Sequence, residues 1–123
     1  MPELERIRFV THQGQRVLLI DMTGCSAAEV AALSDRVPSF VTREPLGSVL
    51  AVGDFTGAEF SRESVERIKV AAALDQPYIK RAAWVLTRNM PKALYDSILS
   101  FSARQIPIFP TREQALEYLV SGA

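Results

Sequence analysis

Four side chains that could take part in acid-base or phosphate chemistry follow an apolar segment near the middle of the chain. They are Asp54, Thr56, Glu59 and Ser61, in the stretch VLAVGDFTGAEFS that begins at Val49. Carboxylates and hydroxyls gathered at the end of a buried strand are groups from which catalytic and phosphoacceptor sites are built. The stretch therefore predicts an active site, a phosphorylation site, or a polar turn between a strand and a helix.

The chain has few of the additional side chains that catalysis or metal binding would require. It has one histidine and one cysteine, and no cluster of Asp and Glu has the spacing of metal ligands. Cys25 precedes a predicted helix, where a thiolate is stabilised, but His12 lies at the opposite end of the preceding strand. We interpret Cys25 as a small, partly buried apolar residue and His12 as part of an exposed turn. We predict no catalytic residue, no metal and no cofactor.

The sequence also lacks the motifs that usually bind or transfer phosphate. None of the six glycines forms a dinucleotide-binding fingerprint or a P-loop. A receiver-like phosphoacceptor would use Asp54 with Thr87, but it also needs an acidic pair and a lysine at neighbouring strand ends. The chain offers only Asp21 and Pro110 in those places, so this is the weakest of the hypotheses.

Nine predicted elements position these residues in the order β-β-α-β-α-β-α-β-α. The predicted strands cover residues 6–11, 16–22, 48–52, 82–86 and 106–109, and the predicted helices begin near Ser26, Ser61, Pro91 and Thr111. The order predicts an α/β fold with a β-hairpin, a mixed and mostly parallel five-stranded sheet, and about four helices. Ligands of such sheets approach the carboxyl ends of the strands.

The bulk properties favour one domain spanning residues 1–123, with its core at about 6–120. The 14 basic and 14 acidic residues balance, so no net charge attracts nucleic acid or an anionic membrane. No stretch reaches the roughly 20 apolar residues of a membrane span, and the charged N-terminal residues resemble neither a signal nor a transit peptide. We expect a cytoplasmic protein.

Arg88 and Asn89 form a second candidate site. They precede the predicted helix near Pro91, whose N-terminal amides could bind an anion together with Arg88. The alternative is a solvated arginine beside a turn asparagine, since loops of this composition are common. The sequence leaves both interpretations open.

Three stretches, DFTGAEFS, PYIKRAAWV and LYDSILSFSARQIPIFPTREQALEYL, resemble small bacterial STAS-like proteins. These are related to the anti-sigma-factor antagonists, including the stage II sporulation antagonist, and to SEC14 lipid-binding domains. The resemblance runs from about Ile7 to Leu119. It implies a regulatory domain that binds a protein partner and catalyses nothing.

In STAS antagonists a kinase-type partner phosphorylates a serine in an Asp-Ser-Ser/Thr-Gly segment at the start of the second helix. The matching positions here are Arg62, Glu63, Ser64 and Val65. Three of these four residues differ from the family's segment, and Glu63 takes the place of the phosphorylated serine. The resemblance therefore implies binding without the usual phospho-switch. A slip of one position would make Ser64 the acceptor. A second copy of the chain is one candidate partner, and the predicted contacts are Asp54, Thr56, Glu59, Ser61, Glu63 and Ser64.

The likeness to SEC14 domains implies a different role, as carrier or sensor of a small apolar or anionic ligand. A cavity between a helix and the sheet would hold the ligand. The same aromatic residues could instead fill the core, because native interiors are close-packed. The candidate ligand contacts are Phe55, Phe60, Trp84, Arg88, Tyr95 and Phe101.

Overall fold

The computed structural model describes residues 6–86 and 89–121. Its strands are β1 (Ile7–His12), β2 (Gln15–Asp21), β3 (Val49–Asp54), β4 (Ile79–Val85) and β5 (Ile108–Phe109). Its helices are α1 (Ala27–Val41), α2 (Arg62–Asp75), α3 (Lys92–Ser102) and α4 (Arg112–Ser121), and a 3-10 turn at Gln76–Tyr78 follows α2.

The five strands form one sheet in the order β1-β2-β3-β4-β5. β1 and β2 are antiparallel, and the other neighbouring pairs are parallel. Gln13 and Gly14 connect the hairpin with positive φ angles of 50° and 79°, as a two-residue type I′ turn requires. The predicted mixed α/β architecture is therefore confirmed, with β1 and β5 at the edges.

Two apolar layers cover the sheet, because residues alternate between its faces. Leu50 and Val52 of β3 pack in the smaller cluster, together with Leu119 of α4. Ala51 of the same strand belongs to the larger cluster, which includes residues of the other three helices. All six residues of β3 are buried, as expected for a central strand covered on both faces.

Local capping signals place the helices well. Ser26 and Glu29 form a capping box where the first helix was predicted to begin, with Glu29 N–H donating to Ser26 Oγ at 3.2 Å and Ser26 N–H to Glu29 Oε1 at 2.9 Å. α3 ends at Ser102, because Ala103 adopts a left-handed conformation with φ of 55°. Phe101 is 59% exposed, which corrects its predicted inward position. Ile98 and Ser102 occupy the buried face of α3 instead, since residues four apart share a face.

The helices are short compared with a bilayer. The longest, α1, has 15 residues. Across residues 6–86 and 89–121, none is both long and apolar enough to cross a membrane.

Candidate functional site

The carboxyl edge of the sheet carries one four-residue motif twice, Asp-x-Thr-Gly. β2 leads into Asp21-Met22-Thr23-Gly24, and β3 leads into Asp54-Phe55-Thr56-Gly57. The two aspartates are register partners across the parallel strands. The two copies of the motif are short and far apart in the chain, and only the pairing of β2 with β3 brings them together.

The two copies have the same geometry. Asp21 Oδ1 accepts hydrogen bonds from Thr23 N–H at 3.1 Å and Thr23 Oγ1 at 2.7 Å. Asp54 Oδ1 accepts the equivalent pair from Thr56 at 3.0 and 2.7 Å. Gly24 N–H donates to the Thr56 carbonyl at 2.9 Å, so the two loops run side by side. Each aspartate thus holds its own turn, as short polar side chains commonly do.

Arg112, the first residue of α4, joins the two motifs. Its Nε donates to Asp54 Oδ2 at 2.8 Å, and its Nη2 lies 3.3 Å from Asp21 Oδ1. Burial alone would raise the pKa of Asp21, but hydrogen bonds from Thr23 and the charges of Arg112 and Arg6 outweigh it and lower that pKa. We call Asp21, Thr23, Asp54, Thr56 and Arg112 the carboxyl-edge cluster. The sequence interpretation missed Arg112, whose only signal was a cation opening the helix after the last strand.

The Asp54 side chain is buried and bonded within this cluster. It is 4% exposed, and each of its carboxylate oxygens has a partner, Thr56 on one and Arg112 on the other. The prediction that Asp54 contacts a partner is therefore corrected by its burial. The same contacts oppose a phosphoacceptor role, since attack on phosphorus needs an accessible carboxylate oxygen. Among the described residues, no group of three or more His, Cys, Asp or Glu side chains could hold a metal ion.

Two further side chains fasten the loops at this edge. Arg6 Nη1 donates to the Asp21 and Thr23 carbonyls at 3.2 and 3.0 Å and to Cys25 Sγ at 3.2 Å. Asn89 Nδ2 donates to the carbonyls of Phe55 at 2.8 Å and Ala58 at 2.9 Å. The candidate anion ligand Arg88 lies outside the described residues, as does Thr87.

Cys25 is a buried side chain, 1% exposed. Burial raises the pKa of its thiol above the ordinary value, even though Arg6 acts in the opposite direction. A raised pKa leaves little of the thiolate, which is the nucleophilic form. The predicted burial of Cys25 is confirmed and is nearly complete, and its sulfur also accepts a hydrogen bond from Arg6.

Two serines cap the N-terminus of α2. Ser64 N–H donates to Ser61 Oγ at 3.0 Å, and Ser61 N–H donates to Ser64 Oγ at 2.9 Å. Ser64 Oγ also donates to the Ser61 carbonyl at 3.1 Å, and Ser64 is 0% exposed. The prediction that Ser64 contacts a partner is therefore corrected, because its hydroxyl caps the helix from inside the fold.

Replacing Ser64 with alanine is expected to lower the free energy of unfolding by about 1 kcal/mol, the usual loss when a capping interaction is removed. Chemical denaturation followed by circular dichroism measures the change. Ser100 is exposed on α3, and Ser100→Ala is the matched control, expected to stay within about 0.5 kcal/mol of wild type. Equal effects of the two substitutions would contradict the role of Ser64.

Four of the predicted partner contacts are exposed, namely Thr56, Glu59, Ser61 and Glu63. The outward face of α2 continues from Glu63 with two apolar side chains, Val70 at 51% and Leu74 at 54% exposure. Glu63 Oε2 lies 3.1 Å from Arg67 Nη2, and Arg67 also pairs with Asp35 of α1. These six exposed residues, which we call the α2 surface, are Thr56, Glu59, Ser61, Glu63, Val70 and Leu74.

The predicted ligand-lining aromatics divide into two groups. Phe55 lies 5.2 Å from Trp84 and 5.5 Å from Phe60 between ring centroids, and Trp84 lies 6.0 Å from Tyr95. These four rings form a continuous row within the larger apolar layer. Phe101 does not belong to the row, since it is exposed.

Comparisons with protein-family models, with curated proteins and with solved structures found no match. The resemblance to STAS-like proteins thus rests on the three sequence stretches and on the order of elements. It stays a prediction.

Proposed function

We propose that this chain is a non-enzymatic, STAS-like regulatory domain that binds a protein partner through the α2 surface. One observation carries the proposal: Glu63, Val70 and Leu74 lie on one face of α2, and both apolar members are about half exposed. Residues seven and four apart lie close to one line along a helix. A charged residue followed by apolar ones on such a line is a suitable contact for another protein.

The carboxyl-edge cluster supports a non-enzymatic role. Of the polar groups that first suggested an active site, Thr56 donates to Asp54, and Arg112 donates to the other carboxylate oxygen of Asp54. A catalytic group must instead reach the atom with which it exchanges a proton. The cluster holds the loop that leads to α2, so its effect on binding is to position the α2 surface.

The serine positions favour constitutive binding over a phosphorylation switch. Glu63 stands where the STAS family has its phosphorylated serine, and Ser64 is buried against Ser61. A kinase would have to unfold the first turn of α2 to reach Ser64. A cytoplasmic location suits the proposal, since Cys25 is a free thiol and thiols stay reduced there.

The double substitution Val70→Ser with Leu74→Ser is expected to weaken partner binding at least tenfold. Burying the exposed halves of these two side chains contributes roughly 1.5–3 kcal/mol in total, and about 1.4 kcal/mol corresponds to a tenfold change in affinity. Quantitative affinity capture from cells of the source organism, with wild type and variant as baits, measures the change for each captured protein. Analytical ultracentrifugation of the two forms tests a second copy as the partner.

The matched control is Phe101→Ser, which removes an equally exposed apolar side chain from α3. It is expected to retain the partner that the α2 variant loses. Both variants should unfold within about 0.5 kcal/mol of wild type, as exposed substitutions usually do. The proposal is wrong if the α2 variant captures the same proteins in the same amounts and self-associates as wild type does.

A further inference from the structure

A groove of about 660 Å³ opens on the outside of the fold beside the first half of β4. The first four residues of that strand line it, namely Ile79, Lys80, Arg81 and Ala82. Residues 103–107, which lead from α3 into β5, line it as well. The groove thus lies between a strand and a chain segment that does not yet pair with it.

The strand has an open edge along this groove. β4 contains seven residues, and it pairs with β3 along its whole length on one side. On the other side β5 pairs only with Trp84 and Val85. Within the described part of the chain, no strand pairs with residues 79–83 of β4 on that side. An unpaired strand edge is a template on which another chain can add.

The pairing stops at Pro107 for a chemical reason. Trp84 N–H donates to the Pro107 carbonyl at 3.0 Å. Two residues further along, Leu86 N–H donates to the Phe109 carbonyl at 3.3 Å. In the other direction, the next bond of this parallel series would run from an N–H at position 107 to the Ala82 carbonyl. Proline has no N–H, so the ladder ends there and leaves the outward backbone groups of Ala82 facing the groove.

The two sides of this edge differ in chemistry. Ala82 belongs to the larger apolar layer and Ala83 to the smaller one, so successive side chains of an added strand would also point to opposite sides. Leu99 of α3 borders the groove on the side of the larger layer. Arg81 lies on the side of α4, where its Nη1 donates to the Tyr118 carbonyl at 3.4 Å. Apolar residues therefore suit one side of an added strand, and acidic residues suit the other.

The lining of the groove is positively charged. Lys80, Arg81 and Arg104 line it, and among the residues that the structure describes no acidic side chain does so. Lys80 is exposed and can meet a carboxylate of a partner. Asp75 acts on Arg104 from the interior, but burial raises the pKa of Asp75 to about 7, so its carboxyl is only partly ionised at neutral pH. Complementary charge therefore favours an acidic partner.

We propose that this groove binds an extended segment of a protein partner in which acidic and apolar residues alternate. The segment adds to the sheet as a strand beside residues 79–83 of β4 and exchanges backbone hydrogen bonds with Ala82. Five residues of strand span roughly 16 Å at about 3.3 Å per residue, so a peptide of that length is a sufficient probe. The groove is separate from the α2 surface, and this proposal does not depend on the proposed function.

Titration of the full chain with the acetylated and amidated peptide Glu-Val-Glu-Val-Glu tests the proposal by nuclear magnetic resonance. The amide signals of Lys80, Ala82 and Gln105 are expected to shift in a saturable manner. Two matched peptides should bind at least threefold more weakly. One has lysine in place of each glutamate and lacks the negative charge, and the other is N-methylated at every backbone amide and cannot donate hydrogen bonds to a strand.

Hydrogen exchange distinguishes strand addition from other modes of binding. Ala82 N–H faces the groove, whereas Ala83 N–H faces β3, because neighbouring residues of a strand pair with opposite edges. At a peptide concentration about ten times the dissociation constant, exchange of the Ala82 amide is expected to slow about tenfold, since it exchanges only in the unbound form. Exchange of the Ala83 amide should not change.

The variant Lys80→Glu is expected to weaken binding of the acidic peptide about three- to tenfold, because it replaces an attraction with a repulsion. Lys92 is exposed on α3 and does not line the groove, so Lys92→Glu is the matched control and should bind as wild type does. The double variant Val70→Ser with Leu74→Ser should also bind the peptide normally, which separates this groove from the α2 surface.

The proposal is wrong if the lysine peptide or the N-methylated peptide binds as tightly as the acidic one, or if Lys80→Glu binds as wild type does. Unchanged exchange of the Ala82 amide at saturation would exclude an added strand. Exchange of that amide that slows with chain concentration in the absence of peptide would identify a second copy as the occupant instead. Displacement of the peptide by an equal concentration of a short oligothymidylate would identify a general anion site.

Discussion

Replacing Arg112 with methionine is expected to lower the free energy of unfolding by about 2–3 kcal/mol. The substitution leaves Asp54, whose side chain is 5% exposed, without its ion-pair partner, and it removes the second contact to Asp21. Breaking a buried ion pair by removing one partner typically costs about 3–5 kcal/mol. We expect less here, because the Arg112 side chain is itself 34% exposed and water partly screens the pair.

Urea denaturation followed by circular dichroism measures this effect. Arg43 is exposed in the loop after α1, so Arg43→Met is the matched control and should stay within about 0.5 kcal/mol of wild type. Adding Asp54→Asn to Arg112→Met should recover part of the loss, giving a coupling energy above about 1 kcal/mol in a double-mutant cycle. If Arg112→Met is no more destabilising than Arg43→Met, the ion pair does not hold the carboxyl edge together.

The second large effect is a dependence of stability on pH that comes from Asp75. Burial raises the pKa of Asp75 from 3.8 to about 7, although the charge of Arg104 acts to lower it. Between these two values the folded chain binds a proton that the unfolded chain releases. The free energy of unfolding must therefore fall as pH rises through this window, by at most about 4 kcal/mol from this residue.

The difference between wild type and Asp75→Asn isolates this contribution. Asp21 acts in the opposite direction, because its pKa is lowered from 3.8. It adds stability as pH rises through the acid range toward that value, and its contribution is constant at higher pH. Urea denaturation from pH 4 to pH 8 should show wild type losing stability relative to Asp75→Asn, which should be the more stable at pH 8. Asp96 is exposed on α3, and Asp96→Asn should follow wild type. Parallel curves for wild type and Asp75→Asn would contradict the assignment.

The predicted partner contacts show that the residue pattern located the polar stretch but did not predict which of its side chains are exposed. Thr56, Glu59, Ser61 and Glu63 are exposed near the start of α2, as the pattern indicated. Asp54 and Ser64 come from the same stretch, but they are buried. A residue type shows what a side chain can bond to, whereas its exposure depends on what packs over it.

The sequence by itself determined the order of the elements, the hairpin and the start of α2. These features depend on neighbours within a few residues, such as the serine cap at Ser61 and the turn at Gly14. Local hydrogen bonds and steric limits are the same wherever such a segment occurs in a fold.

The tertiary structure alone decided the bridge from Arg112 to Asp21 and Asp54, and the burial of Ser34 Oγ and Asp75 Oδ1 without a hydrogen-bond partner. The bridge joins residues that are far apart in the chain and meet only where the parallel strands end beside α4. The cavity of about 50 Å³ that Ser34 and Asp75 line likewise depends on small side chains from separate elements facing one another. Close packing and the desolvation that accompanies it arise from the whole fold. For this reason Asp54 and Thr56, which suggested an active site in the sequence, serve instead to hold the carboxyl edge of the sheet together.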